Sequence, residues 1–161
     1  MLSVLFTLDQ QRYAVSCRRI VEVVPRVELR AVPRAPEYVA GLLDYRGVIV
    51  PVIDLRCLVT GSACRALYST RIILTEYSGT KSVAAVQETH ILGIMAEQVT
   101  EITDISGAGM RDPGLHTADA SYLGKISVDA EDTSMLQLIE IEQLLPAEVR
   151  HLLFTEPEVT G

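Results

Sequence analysis

The sequence predicts a mainly β protein, built as small barrels or a sandwich. Short runs rich in Val, Ile and Leu recur along 161 residues, at fairly even spacing and separated by turn signals. Long alternating strand–helix units are absent, which sets aside a doubly wound α/β enzyme. The apolar fraction, 48%, suffices for a sizeable core, but Trp is absent and aromatics reach only 5%, so that core is aliphatic.

The elements follow in order. "SVLFTL" (3–8) and "RYAVSC" (12–17) flank "DQQ" and read as a hairpin. In "RRIVEVVP", Ile20, Val23 and Val24 fall at i, i+3, i+4, which predicts a short helical turn ended by Pro25. Pro33 and Pro36 make the next stretch an ordered, extended connection. "GLLDYRGVIVPVIDL" reads as two strands around a tight turn, with Gly47 suited to positive φ. Residues 60–69 read as a loop, 70–77 as a strand and 89–102 as another. Between these, residues 78–88 exceed a plain hairpin turn, and "SVAAV" within them reads as an extra short strand. Residues 106–114 read as a loop; 121–128 and 135–141 read as strands around the acidic turn "DAEDTS". The chain closes on a helix in "QLLPAEVRHLLF". Pro146 suits its first turn, Glu148 complements its dipole, and Val149, Leu152 and Leu153 form one stripe. Residues 155–161 read as a frayed tail.

One residue stands against this pattern. Pro51 interrupts the most strand-like segment, "VIVPVIDL", although proline cannot donate to a ladder. A small, bent barrel accommodates it at an edge or bulge, so Pro51 is expected beside a ladder irregularity.

Charge and composition exclude several functions. A net charge of −7 disfavours nucleic acid and anionic membrane surfaces. The N-terminus lacks a basic n-region, and no stretch nears the roughly 20 apolar residues of a spanning helix. A soluble, cytoplasmic protein is expected. Cys17, Cys57 and Cys64 show no paired spacing, as suits reduced thiols. His90, His116 and His151 show no metal-ligand spacing, and no metal or cofactor is expected. "SGTKS" lacks the glycine and helix of a phosphate loop, "DAEDTS" lacks the features of a calcium loop, and no G-x-S-x-G elbow exists. An enzyme would need a pocket with clustered, perturbed ionisable groups. A binding module fits better.

At "YVAGLLDYRGVIVPVIDLR" the chain resembles the CheW-like domain family, the adaptors of bacterial chemotaxis arrays. The likeness rests on Val39, Gly41, "DYRG" (44–47) and "VIVPVIDLR" (48–56). "FTLDQQRYAV", "RRIVEVVP", "LGIMAEQVTEI" and "YLGKISV…MLQLIEIEQLL" extend it over roughly residues 4–154. The sequence departs from the family pattern at Asp44-Tyr45, where Asn-Leu is usual, at Glu97, where Asp is common, and at the insertion 78–88. These departures would suit a surface-sensing, Wsp-type pathway.

The resemblance implies two small SH3-like, five-stranded β-barrels on a shared hydrophobic seam, with a short helical turn near the N-terminus and a C-terminal helix. It implies a single domain over 1–154, with lobes at roughly 14–76 and, joined by the N-terminal strand, 77–145. It further implies a non-enzymatic adaptor that couples the cytoplasmic tip of chemoreceptors to the regulatory domain of a CheA-type histidine kinase, with self-association or array rings. Such a protein is cytoplasmic and recruited to receptor arrays, without nucleic acid or membrane insertion. Ile20, Glu22, Gly41, Arg46 and Gly47 occupy receptor-binding positions by resemblance; Gly47 and Pro51 also shape the turn and bulge. Asp54 and Arg56 read as bracing residues, pairing with each other or with the local loop. The sequence places no kinase contact. An accessory member that binds receptors without activating kinase is the competing reading.

Overall fold

The computed structural model describes residues 1–78, 89–105, 110–114, 120–128 and 134–154. The strands are β1 (Leu2–Leu8), β2 (Gln11–Ser16), β3 (Ile20–Pro25), β4 (Val39–Tyr45), β5 (Val48–Asp54), β6 (Arg71–Tyr77), β7 (His90–Ala96), β8 (Glu101–Asp104), β9 (Met110–Arg111), β10 (Leu123–Val128) and β11 (Met135–Ile139). The described residues also form two helices, α1 (Leu55–Thr60) and α2 (Ala147–Phe154), and 3₁₀ turns at Cys17–Arg19 and Ile141–Gln143.

The strands form two sheets. The first runs β8-β1-β2-β11-β10-β9 and the second β3-β6-β7-β5-β4. The mainly β expectation therefore holds, and the two expected five-stranded barrels correspond to one sheet of six strands and one of five. The sheets divide the chain differently from the expected lobes. β2 stays with its hairpin partner β1, and β7 joins the second sheet, because it pairs antiparallel with β6 and parallel with β5.

Side-chain alternation explains the layering, since successive strand residues face opposite sides. On β1, Val4, Phe6 and Leu8 face one cluster and Leu5 another. On β7, Leu92, Ile94 and Ala96 join the same large cluster as Val4, whereas Met95 packs with Val50, Val52, Ile72 and Leu74. The large cluster is thus a seam shared by both sheets, and each smaller cluster fills one sheet's own interior. With both faces covered, strands read as near-continuous apolar runs. Gly93 marks how tight the second interior is: a Cβ there would sit 2.9 Å from Val52 Cγ2 and 3.0 Å from Ile72 Cγ2.

Two polar networks cross the seam. Arg56 donates to Asp9 Oδ1 at 2.8 Å and lies 3.3 Å from Glu97 Oε1. Arg19 meets Glu142, and Ser78 donates to Glu142 Oε2 through both its N–H and its hydroxyl at 3.2 Å.

Four local expectations are corrected. The helical turn in "RRIVEVVP" shrinks to Cys17–Arg19, capped by Ser16, and Ile20–Pro25 is a strand. The β-branched residues pair with β6, and a register shift between Ile20 and Glu22 sends Ile20 and Val23 to the seam but Val24 to the interior. The spacing of three side chains therefore marks two faces, not one stripe. The strand expected over 89–102 breaks at Gln98, whose φ of 52° turns the chain from one sheet into the other. Residues 55–60 form a helix instead of continuing β5 and entering a loop. Met110–Arg111, within an expected loop, pairs with β10. "SVAAV", most of "DAEDTS", His116 and the tail 155–161 lie outside the described residues.

Pro51 is not on an edge strand, because β5 lies between β7 and β4. Its partner on β4 is Leu42, whose N–H and C=O both bond Arg30 on the opposite side, at 2.7 and 3.0 Å. Leu42 and Pro51 are thus a pair without mutual hydrogen bonds, and the missing N–H breaks none there. Pairing of β5 with β7 begins only at Val52, and the β4–β5 register shifts at the adjoining pair, Gly41 opposite Val52.

Candidate interaction site at the β4–β5 turn

Arg46 and Gly47 are the two central residues of the β4–β5 hairpin, with φ of 50° and 86°. Two successive positive φ values define the turn type whose twist matches paired strands, and glycine is favoured at the second position. Asp44 ties the turn down: its Oδ1 accepts from the Gly47 N–H at 2.9 Å. The Arg46 side chain is 77% exposed.

Glu22 comes to this turn from β3, the opposite edge strand of the sheet. Tyr45 donates its hydroxyl to Glu22 Oε2, and Arg46 Nη2 lies 3.6 Å from the same oxygen. The Arg46 guanidinium also sits 5.2 Å from the centre of the Tyr45 ring. A contact between first and last strands means that the five-stranded sheet curls until its edges meet. The hydrogen bond to Glu22, with burial second, raises the Tyr45 phenol above its ordinary value; Arg46 opposes the shift. Tyr45 therefore stays a donor throughout the physiological range.

Three aliphatics accompany these polar groups: Val21, Val48 and Ile49 are all exposed. Register sets Val48 opposite Tyr45 and Ile49 opposite Asp44. Ile20 is half-buried and packs on the seam. Gly41 is buried with φ of 148°, and a Cβ there would sit 2.6 Å from Arg30 O and 2.8 Å from Leu29 Cβ. The space beside Gly41 is filled by the chain itself. Of the five candidate binding residues, the structure brings Glu22, Arg46 and Gly47 together and sets Ile20 and Gly41 inward.

Asp54 and Arg56 do not pair with each other. Asp54 caps α1 by accepting from the Cys57 N–H at 3.0 Å, and its second oxygen accepts from the Cys64 N–H at 2.9 Å. Arg56 donates to Ala63 O at 2.7 Å, besides its contacts to Asp9 and Glu97. Both brace the loop after α1. Glu97, only 1% exposed, accepts from Arg65 Nε at 2.9 Å. Burial beside the Asp54 and Glu97 carboxylates drives the Cys64 thiol far upward, and Cys17 and Cys57 also rise, so none is poised as a thiolate. Among the described residues, no group of three His, Cys, Asp or Glu side chains could hold a metal.

A cleft of about 360 Å³ opens between the two lobes, with Tyr38 and Leu58 on one side and Tyr122, Leu144, Pro146 and Arg150 on the other. Among the described residues its ionisable lining is Tyr38, Tyr122 and Arg150, and burial raises both phenols above their ordinary value.

The family model for the CheW-like domain matches residues 3–149. The chain belongs to the CheW-like domain family. Among its relatives, the chemotaxis protein CheW of Klebsiella aerogenes is 26% identical over 144 residues, covering 89% of this chain and 81% of the relative. Protein FrzA of Myxococcus xanthus is 23% identical over 141 residues, covering 87% and 82%. The solved structure of the scaffolding protein TtCheW from Thermoanaerobacter tengcongensis superposes with a TM-score of 0.75 at 25% identity, covering 92% of this chain and 89% of that one. The Arg-Gly turn and the acidic residue of β3, both singled out in the sequence, thus form a single cluster. Sequence reading missed Tyr45, which joins them. The signal was present in the sequence, at Asp44-Tyr45, one of the departures from the pattern of the resemblance.

Among the described residues, no helix is long and apolar enough to cross a membrane.

Proposed function

We propose that this chain is a non-enzymatic chemosensory scaffold that couples the cytoplasmic tips of chemoreceptors to the regulatory domain of a CheA-type histidine kinase. The observation that supports this most is the match to the CheW-like family over residues 3–149, together with likeness to a scaffolding protein over nearly the full chain. The β4–β5 turn adds a physical reason. It offers one exposed guanidinium, held on a fixed turn beside the Tyr45 ring, and arginine and tyrosine are both enriched at binding hot spots. In this reading Arg46 and Glu22 serve the receptor contact and Gly47 sets the turn. Ile20 and Gly41 support it from within. The protein works in the cytoplasm and joins receptor arrays, where it alternates with the kinase's domain of the same fold.

The test is binding of purified protein to a receptor cytoplasmic fragment and, separately, to the kinase regulatory domain, by isothermal titration calorimetry. Micromolar binding to both supports coupling; binding to neither overturns it. Tyr45 and the insertion at 78–88 favour a second reading, an accessory member or one serving a surface-sensing pathway. Reconstituted kinase assays separate the two. A coupling protein raises kinase activity in the presence of receptor, whereas an accessory member binds receptor and leaves phosphorylation unchanged.

A further inference from the structure

We infer that Tyr45 is a positioning residue: it fixes the Arg46 guanidinium and the Glu22 carboxylate as one rigid unit on the outer surface of the second sheet. This inference rests, for its binding consequence only, on the receptor-contact reading of Arg46.

Three geometric facts converge on Tyr45. Its hydroxyl donates to Glu22 Oε2, so the carboxylate of β3 is held from the neighbouring edge of the curled sheet. The face of its ring lies 5.2 Å from the Arg46 guanidinium, within the range where a cation is attracted to an aromatic quadrupole. The same Glu22 oxygen lies 3.6 Å from Arg46 Nη2. Arg46 is therefore constrained twice, by a ring and by a carboxylate, and Tyr45 supplies the first and orients the second.

The chemistry explains why this matters at a turn. An exposed arginine has large rotamer freedom, and ordering it on binding costs entropy. A side chain held before binding avoids part of that cost. Arg46 already takes a φ of 50°, which fixes the direction in which its side chain leaves the backbone. Tyr45 then narrows what remains. A leucine at this position could pack beside the Arg46 stem, but it could neither donate to Glu22 nor present a π face. The phenol also satisfies one lone pair of Glu22, so the carboxylate need not swing to solvent for a partner.

The test compares Tyr45→Phe, Tyr45→Leu and Glu22→Ala in the full chain. The direct readout is the Arg46 Nε–Hε resonance, followed by NMR heteronuclear NOE and exchange with water. The inference expects an ordered, slowly exchanging Nε–H in the parent, partial loss of order in Tyr45→Phe, and solvent-like averaging in Tyr45→Leu. It also expects Tyr45→Phe to add little once Glu22→Ala has removed the acceptor, because hydroxyl and carboxylate act as a pair. Arg46 order unchanged in Tyr45→Leu would overturn it. A variant that merely loosens the hairpin would show altered backbone amide shifts along β4 and β5; local side-chain change with an intact backbone is the expected pattern. Receptor-fragment affinity is the second readout, expected to fall roughly threefold to fivefold in Tyr45→Phe. If the parent binds no receptor, the receptor reading fails while the NMR experiment still decides the role of Tyr45. If Arg46→Ala abolishes binding and Tyr45→Leu leaves it intact, the positioning role is refuted and the receptor reading stands.

Discussion

Gly41 and Gly47 both take positive φ, but their surroundings differ, and so do the expected costs of a side chain. At Gly47 a Cβ would meet nothing within 4 Å, so Gly47→Ala costs only the backbone conformation, about 1 kcal/mol. At Gly41 the same change adds a collision with the Arg30 carbonyl, and about 3 kcal/mol is expected. Urea melts of the two variants check the ordering; equal losses would contradict it. Tyr77 gives a prediction in pH. It is 1% exposed, its hydroxyl has no hydrogen-bond partner among the described residues, and burial pushes its phenol up to about 12 from an ordinary value of 10.0. The folded state thus favours the neutral phenol. The associated stability is complete below pH 10 and is lost as pH rises through about 12, by roughly 3 kcal/mol. Tyr77→Phe should leave neutral-pH stability nearly unchanged, since it removes an unpaired hydroxyl, and should flatten the alkaline loss. Denaturant midpoints between pH 8 and 12 measure both effects.

At the scale of elements, α1 depends on one side chain. Asp54 holds the Cys57 N–H at the helix start and the Cys64 N–H beyond its end, closing the loop as a ring. Gly61, with φ of 85°, ends the helix in the left-handed conformation. Asp54→Ala orphans both N–H groups, so a loss of about 2–3 kcal/mol is expected, with faster amide exchange confined to residues 55–65. Uniformly faster exchange throughout would argue against a local role. This helix also marks the limit of what sequence conveys. The strands were legible because burial on two faces leaves long Val and Ile runs, and the β4–β5 hairpin was legible from its Arg-Gly pair. The helix α1 was not, because its apolar residues Leu55, Leu58 and Val59 make only one helical turn directly after β5, and the tie that closes its loop is completed by Cys64, outside it. Glu97 was equally opaque: nothing near it in sequence signals its burial, which Arg56 and Arg65 from another stretch of chain permit. The Glu22–Tyr45–Arg46 cluster was half legible. Each residue was visible, but their meeting requires a sheet curled edge to edge.

At the scale of the whole molecule, the seam outweighs either interior. It gathers residues of β1, β2, β5, β6, β7, β11 and α2, whereas each interior cluster belongs to one sheet. Neither lobe keeps an adequate core without the other. A single cooperative urea transition is therefore expected, coincident by circular dichroism and tyrosine fluorescence, and a 20–96 fragment is expected to stay unfolded. Two resolved transitions would sink this. The Asp9–Arg56–Glu97 and Arg19–Ser78–Glu142 networks bind the lobes at separate points, and Glu97→Ala should cost about 2 kcal/mol, less than a wholly buried pair because Arg65 is largely exposed.

The strand order also bears on how the protein is made. All five strands of the second sheet come from one uninterrupted stretch, residues 20–96, whereas β2 finds its parallel partner β11 only after more than a hundred further residues have been added. On a ribosome extending the chain from the N-terminus, the β1–β2 hairpin is born first and finished last. Its seam face, with Phe6, Leu8, Tyr13 and Val15, has no complete neighbour until β11 emerges. The slow step of biogenesis is then capture of the earliest hairpin by the latest strand, and the nascent chain passes through a long interval in which that hairpin is the surface a chaperone would grip.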